Sequence, residues 1–380
     1  MDRSEDSQEE DSAIPLRYPL IFDHRRYVPR LLWKMGEYQA LLRLHLHTKN
    51  DVTPLIDIPE IGYDFETQEA AKTIDEHLAT FGQRLADKWS ERWAFVDLRL
   101  IPQSERMSDG RHPVKFIFDT VRSSGALAVP VTGLSRSAEY QEAVRQTAAV
   151  DKSGACVRLE VEEMASSTFN ARLRAALDNL ALSARDCHLI LDLGAPNFEP
   201  LDGFTKMVRA LIDKLPFLNE WNSFTICGTS FPQTMGQLKI GVQIIKRFEW
   251  LFYKKLCSAL PHGLRKPSFG DYAIAHPKHE TKDPRLLKPS ASLRYAVDDA
   301  WYIAKGVNVR DHGTDQYKNL CLELMRSGRF RNNGFSDAGD YIRKCALGRV
   351  KPGGLPRWRQ VGTNQHLEKI VFDLSTLNDS

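Results

Sequence analysis

A unit of short apolar strand, polar tip and helix recurs along most of this chain, and that recurrence limits the fold more than any other feature. Its first instance is YVPRLLWKMGEYQALL at 27–42, where an apolar run meets a charged, glycine-containing turn (Lys34, Gly36, Glu37) and then helical spacing. Candidate strands lie at 28–33, 52–58, 94–101, 127–132, 155–161, 188–193, 223–228 and 268–275. Gly125 stands where a helix C-terminal cap belongs, and Ser137 where an N-cap belongs. Strands alternating with helices predict a parallel sheet, and eight such units favour closure into a TIM-like (β/α)8 barrel over residues 16–284. An open doubly wound sheet is the alternative. No GxGxxG or GxxxxGK[ST] loop occurs, which counts against dinucleotide and P-loop sites.

After residue 284 the pattern changes. Two apolar runs at 290–297 and 300–307 flank Asp298-Asp299 like a hairpin, and helices are expected at about 315–327 and 336–346. The closing RWRQVGTNQHLEKIVFDL reads as a turn, a helix and a short strand. Residues 285–380 are therefore expected to form a hairpin-plus-helix appendage on the barrel. The region from the seventh strand to about residue 258, with KRFEWLFYKKL, reads as one long helical stretch, in which Trp250 and Phe252 are packing residues. The acidic opening MDRSEDSQEEDSAIP is expected to be a disordered tail, residues 1–15, and has no signal-peptide character.

Composition removes several function classes. A formal net charge of +3 over 380 residues creates no field for polyanions, and no interleaved basic and aromatic motif appears, so nucleic acid is not an expected partner. No apolar run reaches the ~18 residues of a membrane span, so no membrane partner is expected. The six cysteines show no CxxC or Cys/His metal spacing and read as buried free thiols, which fits a reducing cytoplasm.

Charged residues seldom occupy strands unless paired or functional, and here they gather near the same end of many strands. In a barrel that end carries the active site. Lys34 follows the first strand, Asp57 and Glu60 end the second, and Asp97 and Arg99 share a face of the third. Arg158 and Glu160 share a face of the fifth, Asp192 ends the sixth, Thr229 and Ser230 follow the seventh, and Asp271 and Tyr272 lie in the eighth. Lys34, Asp97, Glu160, Asp192 and Asp271 form the candidate catalytic set. Glu37, Arg99, Arg158, Thr229, Ser230, Tyr272, Arg294 and His366 form the candidate ligand-binding set. Such carboxylates can hold a divalent metal or act as an acid–base pair, the lysine can form a Schiff base or bind phosphate, and the arginines can clamp an anion bidentately. The mixed signs favour a small, polar, anionic ligand over a bare metal cage. The competing structural explanation is a set of buried ion pairs that plug the barrel.

The segments YVPRLLWKMGEYQAL, VTPLIDIPEI, FVDLRL, AVPVTGLSR, VRLEVEE, LILDLGA, GTSFP, RFEWLFY, FGDYAIAHP, ASLRYAVDDAWYIAKG and WRQVGTNQHLEKIV resemble the Beta protein family, named for phage Beta proteins. The resemblance runs over nearly the whole length after residue 27. Gln365-His366 departs from it, since family members often carry two adjacent histidines there. The resemblance implies a setting in phage–host conflict and fixes no chemistry. Two expectations follow: a barrel that binds or processes a small anionic ligand at its mouth, or a non-catalytic component that binds a protein partner of a phage-defence or phage-encoded system.

Overall fold

The computed structural model describes residues 22–261, 263–278, 283, 285–331 and 334–378. The acidic tail expected at 1–15 lies outside them. Eight parallel strands close into a barrel, as the alternating pattern predicts. In chain order the larger strands are β1 (Val28–Leu32), β2 (Leu55–Asp57), β3 (Trp93–Asp97), β4 (Leu127–Thr132), β5 (Ala155–Glu160), β6 (Cys187–Asp192), β7 (Ser223–Cys227), β8 (Gly241–Lys246), β9 (Ser268–Asp271), β10 (Ser290–Ala296) and β11 (Ala300–Asn308). Strands β1 to β7 follow one another round the wall, and β9 closes it between β7 and β1.

Successive strand residues face opposite sides of the wall, and the sequence uses both. Val28, Leu55, Phe95, Val129, Val131, Cys156, Ile190, Cys227 and Tyr272 pack as one cluster in the lumen. Intervening residues such as Leu31, Ile56, Val96, Val157, Leu189 and Ile226 join the larger core under the surrounding helices. Low in the lumen His188 sits between Phe22 (4.6 Å) and Phe95 (4.9 Å), with Nδ1 2.8 Å from Ser223 Oγ. Burial holds its imidazole down at about 3, so it is a neutral packing residue. The cysteines are all free thiols, five of them buried.

Two expected elements take another form. The stretch after β7 is not one helix. It first forms β8, which pairs antiparallel with β11, and only then the helix Phe248–Ala259. The expected hairpin of β10 and β11 is thus part of a three-stranded sheet, order β8-β11-β10. Trp250 and Phe252 are buried core residues, as expected.

The closing segment is a single helix, Leu355–Asn378, with no terminal strand. Residues 360–371 are buried without a break. A helix buried on all sides is normally apolar all round. This one mixes apolar core residues with polar ones, and five of the polar side chains reach other elements. Asn364 accepts from Ala338 N and donates to Ala40 O, and Gln365 closes both ends of its amide on Ala296 of β10. His366 pairs with Asp271, Glu368 takes Thr48 and His45, and Lys369 reaches Asp298 and Asp373. Gly36 makes the close approach possible, since a Cβ there would stand 2.8 Å from Arg359 Cβ. Among the described residues no helix is long and apolar enough to cross a membrane.

Candidate functional site

The lumen-facing positions at the C-terminal ends of β1, β2, β3, β5 and β6 are occupied by Arg30, Asp57, Asp97, Arg158 and Asp192. Their parity with the apolar lumen residues Val28, Leu55, Phe95, Cys156 and Ile190 puts all five inside the barrel. Arg158 is the centre. Its Nη1 donates to Asp57 Oδ1 (2.8 Å) and Asp97 Oδ2 (3.0 Å), while Nε (2.9 Å) and Nη2 (2.6 Å) donate to Asp192 Oδ2. Arg30 adds Nε at 2.8 Å and Nη2 at 2.6 Å to Asp57 Oδ2, and Arg136 gives Nη2 to Asp97 Oδ1 at 2.9 Å. Tyr272 donates its hydroxyl to Asp192, and its ring lies 5.0 Å from the Arg30 guanidinium.

Three guanidinium groups thus neutralise three carboxylates. Burial would raise the Asp57 carboxyl, but Arg158 and then Arg30 outweigh it and hold it down at about 2. Asp192 is lowered in the same way: against burial stand Arg158, the Gly194 N–H and Tyr272. Carboxylates held this firmly ionised do not exchange protons at neutral pH. The deep layer is an ionic plug in which every carboxylate is paired, while Arg30 Nη1 is buried without a partner.

Above it the mouth is open. Arg99, Gly133, Ser135, Arg136, Arg158, Glu160 and Glu163 line a pocket of about 120 Å³. Arg99 is partly exposed, gives Nη2 to Glu160 Oε1 at 2.8 Å and stands 3.7 Å from Asp192. Two polar atoms here are buried without a partner, Arg136 Nε and Glu163 Oε1. Burial raises the Glu163 carboxyl above its ordinary value. Gly133 is a steric requirement, since a Cβ there would stand 2.8 Å from the Arg158 carbonyl oxygen.

Of the residues singled out from sequence, Asp57, Asp97, Arg99, Arg158, Glu160, Asp192 and Tyr272 come together here. The others do not. Lys34 is exposed beside the helix Met35–Leu42. Glu37 is buried against Arg359 at 3.6 Å. Arg294 packs over Phe231 at 5.8 Å, and burial, with Arg359 nearby, brings its guanidinium down to about 9. Asp271 faces outward, the opposite way to Tyr272, and binds Tyr27 Oη (2.5 Å) and His366 Nε2 (2.7 Å). The Thr229 hydroxyl accepts from Phe231 N, and Ser230 gives its hydroxyl to Glu249 Oε2 at 2.6 Å.

Sequence reasoning missed Arg30, Arg136, Glu163, Arg247 and Glu249. Arg136 had a signal: it follows the Gly133-Leu134-Ser135 tip of β4. Glu249 is fully buried, and burial pushes its carboxyl up to about 7 even with Arg247 Nε 3.8 Å away. It lies on a helix that was read only for its aromatic packing.

No curated protein matches the chain. The family model described as "Beta protein" matches residues 27–372, which take in every barrel strand, the pocket and the closing helix as far as Phe372. The chain belongs to the Beta protein family.

Proposed function

We propose that this protein binds a small anionic ligand, a carboxylate or phosphate, at the C-terminal mouth of its barrel. The carrying observation is the pocket where Arg99, Arg136 and Arg158 converge, with Arg136 Nε unpartnered. Arg158 is committed to the plug below and supplies rigidity. Arg99 pairs closely with the exposed Glu160 and more loosely, at 3.7 Å, with Asp192, so an incoming anion replaces the Glu160 carboxylate on the guanidinium, with Arg136 as a second donor. The fixed ionisation of Asp57 and Asp192 supports binding over acid–base catalysis at the deep layer. In this reading the barrel, 16–284, carries the ligand site and 285–380 is the appendage. A setting in phage–host conflict rests on the family resemblance alone.

Titration calorimetry with inorganic phosphate and with acetate tests the proposal. Saturable binding that is lost on replacing both Arg99 and Arg136 by Ala is expected. Binding indifferent to those replacements, or none at millimolar concentration, defeats it.

One observation favours a second reading, a platform for a protein partner. β8 is an edge strand whose Val242 and Ile244 are exposed, with exposed Ile240 just before it. Open apolar edges accept a strand from another chain. Ile244→Lys should abolish a partner contact made there and leave anion binding intact.

A further inference from the structure

The connection between β1 and β2 carries a second group of ligating side chains that the anion pocket does not use. His45 caps the short helix Leu46–Asp51, and His47 follows two residues later. Their rings stack at 5.6 Å with an interplanar angle of 28°. Glu368 of the closing helix faces them. One ligand atom from each of His45, His47 and Glu368 can be chosen so that all lie within 4.8 Å of one another.

We propose that His45, His47 and Glu368 bind one divalent transition-metal ion of the zinc class, which clasps the closing helix to the β1–β2 connection. Three features argue for it. First, Glu368 is a carboxylate only 3% exposed. Its partners are the His45 backbone N–H, the Thr48 hydroxyl and His45 Nδ1 at 3.5 Å. Among the described residues no lysine or arginine stands at ion-pair distance from it, and Lys49, which attracts it from further off, gives its ammonium to Leu42 O, unlike the arginines bound directly to the aspartates of the barrel plug. A buried carboxylate without a firm cation is costly, and a bound metal supplies that charge.

Second, the donor set is two imidazole nitrogens and one carboxylate oxygen, the chemistry that suits zinc, cobalt or nickel and not the all-oxygen shells of calcium or magnesium. Third, the closure required is small. Donors about 2.1 Å from a tetrahedral ion sit about 3.4 Å apart. His47 is exposed and free to rotate inward, while Thr48 and the His45 backbone N–H fix the carboxylate. The remaining coordination position faces solvent, where water completes the shell.

The site lies just before β2, at the end of the barrel where strands begin, so it is separate from the mouth. Because His45 and Glu368 are 323 residues apart, a metal here joins remote parts of the chain and stabilises the native state in proportion to its occupancy.

Full-length protein stripped with a chelator and titrated with Co²⁺ tests this. One equivalent should bind with visible d–d bands of a nitrogen–oxygen site, Zn²⁺ should displace it, and the unfolding temperature should rise by a few degrees. His47→Ala removes only an exposed ligand and should weaken binding at least tenfold with the metal-free unfolding temperature unchanged. Glu368→Gln should abolish the bands. Unchanged binding in the His47 variant, a thiolate charge-transfer band pointing to cysteine ligation, or no binding at millimolar metal overturns the proposal.

Discussion

Arg158 places two donors, Nε and Nη2, on the single Oδ2 of Asp192, at 2.9 and 2.6 Å, and keeps Nη1 for Asp57 and Asp97. One side chain from β5 therefore fixes strand ends on both sides of the barrel. Arg158→Met should cost about 3–5 kcal/mol, because it leaves three buried carboxylates short of a cation. Arg158→Lys should rescue little, since one ammonium cannot reproduce a planar fork turned on three partners. Urea unfolding of the three proteins checks this, and equal midpoints would show that the plug contributes nothing.

At the rim the expected effects fall on binding. Glu160 occupies Arg99, and it is exposed. Glu160→Gln should raise affinity for inorganic phosphate several-fold by removing the competing charge. Arg99→Ala should lower it about tenfold and shift stability by less than about 1 kcal/mol, because the pair is partly solvated. Calorimetry and thermal unfolding of the same samples separate the two effects.

Glu249 should give stability a pH dependence near neutrality. Its carboxyl stands at about 7 in the fold against 4.5 ordinarily. Between these values the unfolded chain has lost a proton that the native state retains, so stability falls as pH rises from 4.5 to 7 and stays lower above. The limit is about 3 kcal/mol. Glu249→Gln should remove this slope, although it also alters the contact with Arg247. Denaturation midpoints at pH 5 and pH 8 read it directly, and parallel pH profiles for the two proteins would count against the assignment.

Gly36 meets the closing helix where a Cβ would stand 2.4 Å from Arg359 Cγ and 2.8 Å from its Cβ. Gly36→Ala should therefore loosen that helix and cost about 1–3 kcal/mol. Limited proteolysis should then cut within 355–378 faster than in the parent protein.

The barrel was legible because strand and helix periods differ and each unit ends in polar turn residues. The cluster of charges was legible for a related reason: Asp57, Asp97, Arg158 and Asp192 sit at strand ends where apolar residues are the rule. Which way a charge faces was harder to read. Asp271 and Tyr272 are neighbours, and a shift of one residue separates the lumen from the outer wall. β8 was hidden because its β-branched run, Val242, Ile244 and Ile245, is short and leads straight into the helical pattern of KRFEWLFYKKL. The closing helix was misread because many of its buried side chains are polar, and their partners Ala40, Ala296, Asp271 and Thr48 are scattered through the chain. No local window contains them.

The arrangement of that helix has a consequence for biosynthesis. Ala40, Thr48 and Asp271 leave the ribosome long before the residues that contact them. The nascent protein must therefore wait, with its earliest helix uncovered, until residues 364–368 have been synthesised. A message truncated between Asp271 and Leu355 would yield a chain with every barrel strand present and no rivet to hold the outer layer in place.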